Sequence, residues 1–189
     1  MSHTNGARTV KSQKKNRIPG KLFLAAAAVA LLFSCLVLTS LAAEPEWQTL
    51  TDGGTLQSGY YRLESDVTLT KNITIGSKAK VTIDLNGHVL MGSGTGTVIN
   101  NTERGIVTIQ DSNPISGPHY FKIVENGPWE YDSTVTEPTE GYHAVYGGVI
   151  TGGRDTTAHN AGAGGGGAVK MGSYTGDKLI LQGGTFIGN

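Results

Sequence analysis

The chain has 189 residues, 15 Lys/Arg against 15 Asp/Glu, and a single cysteine. The even charge balance hides an asymmetry. Residues 1–43 carry six cations (Arg8, Lys11, Lys14, Lys15, Arg17, Lys21) and no acid, leaving nine cations against fifteen acids from Glu44 onward, a net of 9 − 15 = −6. That sign argues against a nucleic-acid surface, and a chain with one cysteine builds no internal disulfide framework.

Residues 22–43 are uncharged and strongly apolar, and Ser40-Leu41-Ala42 supplies the small residues of a cleavage site. A basic start, an apolar run and a small-residue end predict a secretory signal. At 1.5 Å per residue the run also reaches ~33 Å, enough to span a bilayer, so an uncleaved signal anchor is the alternative. Either way the remainder is expected outside the cytoplasm, secreted or at the cell surface. The membrane is then touched only through this segment. Cys35 sits within it, and Leu32-Phe33-Ser34-Cys35 is a poor lipidation box because Phe33 is bulky.

Residues 44–58 read as a linker or entry segment, and 59–189 as the folded body. Short strands with period-two alternation follow: 60–63, 67–69, 73–75, 81–85, 88–90, 97–99 and 106–109. β-Branched and Thr-rich stretches fit strands and resist helix. The separators Lys71-Asn72, Gly76-Ser77, Asn86-Gly87 and Asn100-Asn101 are turn chemistry. No helical period appears after Ala43.

Internal similarity is the strongest signal. Gly147-Gly148-Val149-Ile150-Thr151-Gly152-Gly153 returns as Gly183-Gly184-Thr185-Phe186-Ile187-Gly188-Asn189, 36 residues later, each copy preceded by a short apolar strand (143–146 and 179–182). Val81-Thr82-Ile83-Asp84 aligns with Val107-Thr108-Ile109-Gln110 at 26 residues. Such spacings predict stacked turns of a solenoid that bury one continuous core. The final turn has no capping helix after it, which predicts edge-to-edge self-association and suggests a fragment of a longer surface protein.

The run Gly59-Tyr60-Tyr61-Arg62-Leu63 through Asn86-Gly87-His88 resembles the opening coils of the pectate-lyase-like superfamily of right-handed parallel β-helices. Gly166-Gly167-Ala168-Val169 and Phe186-Ile187-Gly188-Asn189 resemble the GGA[I/V] and FxxN repeats of secreted bacterial surface and adhesin-like passengers. The resemblance spans roughly 55–189 and implies an all-β right-handed parallel β-helix, preceded by an N-terminal hydrophobic signal helix. It implies an exported binding or adhesion module meeting a glycan or a host or cell-surface ligand. A polysaccharide lyase or glycoside hydrolase of the same fold is the alternative, and a structural stalk the second.

Two segments depart from the pattern. Residues 112–142 hold four prolines, five acids (Glu125, Glu130, Asp132, Glu137, Glu140), one cation (Lys122) and five aromatics. Aromatic rings stack on sugar faces and carboxylates hold hydroxyls, so Trp129, Tyr131, Asp132 and Tyr142 are the candidate ligand-binding residues. The opposing expectation is that Tyr120, Phe121 and Trp129 fasten the insert to the body. Residues 152–167 read as a Gly-rich loop; its G-x-G-x-x-G match lacks the strand and helix that dinucleotide binding needs.

No catalytic residue emerges. Asp84 and Asp111 suggest a carboxylate pair, but the 26-residue register puts Gln110 beside Asp84, which is expected on a solvated outer face, with Asp111 at a corner. Arg154-Asp155 and His159 make no calcium site, the five histidines are scattered, and no G-x-S-x-G elbow is present. No metal and no cofactor is expected. Asn72-Ile73-Thr74 and Asn100-Asn101-Thr102 match glycosylation sequons but read as turns.

Overall fold

The computed structural model describes residues 44–125, 129–154 and 167–189. The N-terminal signal or anchor segment lies outside the described residues, as do residues 155–166 of the Gly-rich tract, with Asp155 and His159. Among the described residues there are strands and turns and no helix, and the compact unit runs Pro45–Asn189.

In chain order the first strands are β1 (Trp47–Thr49), β2 (Gly54–Leu56), β3 (Gly59–Arg62), β4 (Val67–Thr68) and β5 (Ile73–Ile75). There follow β6 (Lys80–Asp84), β7 (Val89–Met91), β8 (Ile99–Asn101) and β9 (Ile106–Gln110). Then come β10 (His119–Lys122), β11 (Glu130–Tyr131) and β12 (Tyr142–Val145), and finally β13 (Val149–Thr151), β14 (Val169–Met171), β15 (Lys178–Leu181) and β16 (Thr185–Phe186). Residues 44–58, expected as an entry segment, thus contribute two strands.

Three of the sheets are parallel. The first has the order β1-β3-β6-β9-β15, the second β4-β7-β13-β16, and the third β2-β5-β8-β14. From β3 onward the chain visits them in rotation, first, second, third, and begins again. Val81 pairs with Val107 and Asp84 with Gln110, the 26-residue register read from the sequence. Val149 pairs with Thr185 and Ile150 with Phe186, so the two Gly-Gly phrases lie side by side at the 36-residue spacing. That register follows from burial. A one-residue slip would turn Val81 and Ile83, both fully buried, out of the core.

The main core lies between the three sheets. Val81 and Ile83 come from the first, Leu90 and Ile150 from the second, and Ile73, Ile75 and Ile99 from the third. Gly148 shows how tightly the corners close: a Cβ there would strike Leu85. Its backbone N–H donates to Asp111 at 2.6 Å, and Gly87 donates to the other oxygen of the same carboxylate at 2.7 Å. Asp111 is therefore a corner residue that satisfies turn N–H groups, as the register predicts.

The insert is organised rather than irregular. β11, β10 and β12 form an antiparallel sheet, with Phe121 opposite Tyr131 on one side and His143 on the other. This corrects one expectation: the strand at 143–146 does not join the parallel sheets but pairs antiparallel with β10. Phe121, Val89 and Val149 form a second buried cluster, with Met91, Trp129, Tyr131, Val145 and Ile187 packed against it. Neighbouring residues on a strand face opposite ways. Leu90 and Ile150 therefore join the main core while Val89 and Val149 join the insert, and the second sheet is covered on both faces.

Candidate ligand-binding cleft

Between the insert and the second sheet opens a cleft of about 540 Å³. Its size falls within the range of small-molecule sites. Trp129, Glu130 and Tyr131 form one wall; Thr68, Leu69, Met91 and Thr151 come from or adjoin the second sheet. Ser93, Gly152, Arg154 and Gly188 close the rest. The lining is mixed: two large rings, two apolar side chains (Leu69 and Met91), three Ser/Thr hydroxyls, one carboxylate and one guanidinium.

Each wall is anchored. Tyr131 donates its hydroxyl to Asp66, whose other oxygen accepts from the Val89 N–H at 2.9 Å. Burial first, and then the Asp66 carboxylate, push the Tyr131 phenol well above its ordinary pKa, so it stays a donor. Its ring packs on Phe121 at 5.3 Å and edge-on to His119 at 6.0 Å. His119 bonds the Gly87 carbonyl through Nε2 at 2.8 Å, and its Nδ1 lies 4.0 Å from Asp66. His88 faces the same carboxylate at 3.5 Å. Trp129 packs against His143, with ring centroids 4.9 Å apart. Gly188, with φ of +66°, admits the Trp129 carbonyl where a Cβ would collide with it.

On the facing wall, Arg154 is tied to Gly96 by two backbone hydrogen bonds of 2.7 Å each. Its Nη2 lies 3.6 Å from Glu130 Oε1, and both side chains are about half exposed.

Of the four residues predicted from the sequence, Trp129 and Tyr131 line the cleft. Asp132 and Tyr142 do not. They bond each other, the Tyr142 hydroxyl donating to Asp132 at 3.1 Å, and Thr134 donates its hydroxyl to the same carboxylate at 2.6 Å. The bonds to Asp132, led by that from Thr134, hold it below its ordinary pKa, and the bond to Asp132 raises that of Tyr142. They organise the turn after β11. The expectation that Tyr120, Phe121 and Trp129 are fasteners agrees with the burial of the first two and with the packing of half-buried Trp129 against the second cluster.

The sequence gives no sign of Asp66 at the site, presents Glu130 only as one of the insert's acids, and offers Arg154 only in a calcium site that it does not complete. The apolar doublets Val89-Leu90 and Val149-Ile150 were the available signal. A strand covered on one face alternates; one covered on both does not.

The expectation for Asp84 is overturned: it is fully buried, not solvated. Arg62 on the neighbouring strand donates from Nε at 3.1 Å and lies 3.0 Å away through Nη2, while Asn86 and Ser112 donate backbone N–H groups at 3.0 and 2.9 Å. The turns on either side close over the carboxylate, which outward alternation alone does not foresee.

Among the described residues, no group of three or more His, Cys, Asp or Glu side chains has the geometry of a metal site, and no helix is long and apolar enough to cross a membrane. No protein-family model, curated protein or solved structure matches this chain, so its functional reading rests on the geometry just described.

Proposed function

We propose that the chain is an exported saccharide-binding module, built as a right-handed parallel β-helix, that meets glycans at a cell surface. The rotation of the chain through three parallel sheets, with successive turns in register, supports the solenoid. The basic and then apolar N-terminus supports export. Mass spectrometry of the exported protein is expected to find Ala43 or Glu44 at the N-terminus; retention of Met1 would favour the signal anchor.

One observation carries the binding reading. The cleft sets the Trp129 and Tyr131 rings beside a carboxylate and a guanidinium that face each other. Apolar sugar faces stack on rings, and hydroxyls take up both charged groups. Glu130 is the one carboxylate among the described lining residues, whereas glycoside hydrolysis uses two across the bond it cleaves. This favours binding over hydrolysis.

The test is polysaccharide retention by Trp129→Ala and Tyr131→Phe variants. Trp129→Ala is expected to weaken retention roughly tenfold through lost stacking, with the β-type spectrum kept. Tyr131→Phe keeps its ring and is expected to bind nearly as well while melting at a lower temperature. No saccharide retention by the wild-type chain would defeat the proposal.

A further inference from the structure

We infer that the cleft selects uncharged saccharides, and that Glu130 and Arg154 together grip one vicinal diol; this rests on the saccharide-binding reading above.

The pair stands at 3.6 Å, beyond hydrogen-bond length. They form an ion pair without a direct hydrogen bond, so the carboxylate keeps acceptor capacity and the guanidinium keeps donors. The backbone of each is held in place. Glu130 sits on β11 opposite Lys122 of β10, and Arg154 is locked to Gly96 by its paired backbone bonds. An acceptor and a donor at this separation are both within reach of one oxygen, or of two adjacent ones, lying beside the pair. Adjacent hydroxyls of a sugar ring lie a hydrogen-bond length apart. One donates to Glu130 and its neighbour accepts from Arg154. Trp129, next to Glu130 in sequence and on the same wall, offers its ring to the apolar face of the same sugar.

Charge weighs against the other classes. An anionic ligand approaches the insert, where residues 112–142 carry five acids against Lys122 alone, on a body of net −6 from Glu44 onward. A cationic ligand is drawn by that field but inside the cleft meets the Arg154 guanidinium, the one cation among the described lining residues. The Glu130–Arg154 pair itself sums to zero. What remains favourable is a neutral polyol that satisfies both signs.

The experiment measures retention of dextran, mannan and galactan (neutral), polygalacturonate (anionic) and chitosan (cationic) by the full chain, held in a detergent without a sugar headgroup. Glu130→Gln, Arg154→Gln and Arg154→Lys are run alongside, each checked for its β-type spectrum and melting temperature. Retention of at least one neutral polymer, unchanged between low and physiological salt, is expected. Glu130→Gln and Arg154→Gln are each expected to weaken it about tenfold, and Arg154→Lys less, because lysine keeps the charge but not the planar fork. Both side chains are half exposed, so the variants are expected to fold. Preferential retention of polygalacturonate or chitosan, strengthened at low salt, overturns this inference while the saccharide reading survives. Wild-type retention in both glutamine variants overturns it too. Retention of none of the five polymers overturns this inference and the saccharide reading together.

Discussion

Among single residues, the aspartates decide most, and they do so by holding turns. Asp52 accepts from the Thr70 hydroxyl, the Thr70 N–H and the Gly53 N–H, in that order of effect, and its pKa falls to about 2. Burial pushes Asp84 up, but the bonds from Ser112, Asn86 and Arg62 outweigh it and the net shift is downward. A depressed folded-state pKa contributes stability above the unfolded value, near 4, that is lost as pH falls through the folded value. The urea midpoint is therefore expected to drop between about pH 4 and pH 2, these groups contributing no slope near neutrality. Asp84→Asn is expected to cost about 2 kcal/mol at pH 7 and to flatten that acid slope, because the amide cannot serve Arg62 as the carboxylate does. An unchanged acid slope in Asp84→Asn would show that its ionised form is not what the fold uses. The alternation around Asp84 was legible from Val81, Ile83 and Leu85. Its burial was not, because the covering groups come from Arg62 and Ser112, 22 and 28 residues away.

For elements, the informative case is the strand covered on both sides. β7 and β13 looked like the other short strands, and the insert looked like a loop, because each was read alone. Most strands between β3 and β9 and the 26- and 36-residue registers were legible, since period-two burial and turn residues are local signals. Asn100 and Asn101, expected as a turn, instead belong to β8, and β1, β2, β10 and β11 were not foreseen. The cleft was only half legible. Trp129 and Tyr131 stood out by chemistry, but Asp66 and Arg154 reach them only through long-range packing, which a linear pattern does not encode. Gly188 tests how the insert is seated. Its φ of +66° is a left-handed backbone, and the Trp129 carbonyl occupies the space of its missing side chain. Gly188→Ala is expected to cost about 1–2 kcal/mol in backbone strain alone and to push β11 away from the second sheet. Faster amide exchange at 129–131, together with weaker saccharide retention, is the expected reading. Unaltered exchange there would mean that the contact does not position the wall.

At the scale of the whole molecule there are two cores, one enclosed by the parallel sheets and one between the second sheet and the insert. The main cluster draws Val81 and Ile83, Leu90 and Ile150, and Ile73, Ile75 and Ile99 from the three sheets and needs nothing from residues 112–142. The insert leaves and returns at nearly one point: Asp111, just after β9, accepts from Gly148, just before β13. An excursion whose ends already touch costs little loop entropy to shorten. Replacing residues 114–146 with a short Gly-Ser link is therefore expected to leave a β-type spectrum and cooperative unfolding. Stability should still fall, because Val89 and Val149 lose Phe121 and face water; exposing two such side chains costs roughly 3–6 kcal/mol. Saccharide retention should vanish, since Trp129, Glu130 and Tyr131 leave with the insert. Circular dichroism and a urea titration read the first two outcomes, and polysaccharide retention reads the third. Loss of the β-type spectrum on excision would mean that the parallel sheets are not a self-sufficient body. Retention that survives it would place the ligand on some other face. If the spectrum persists and binding is lost, the division of labour is physical: the stacked sheets supply stability, and the insert turns one of their faces into a site.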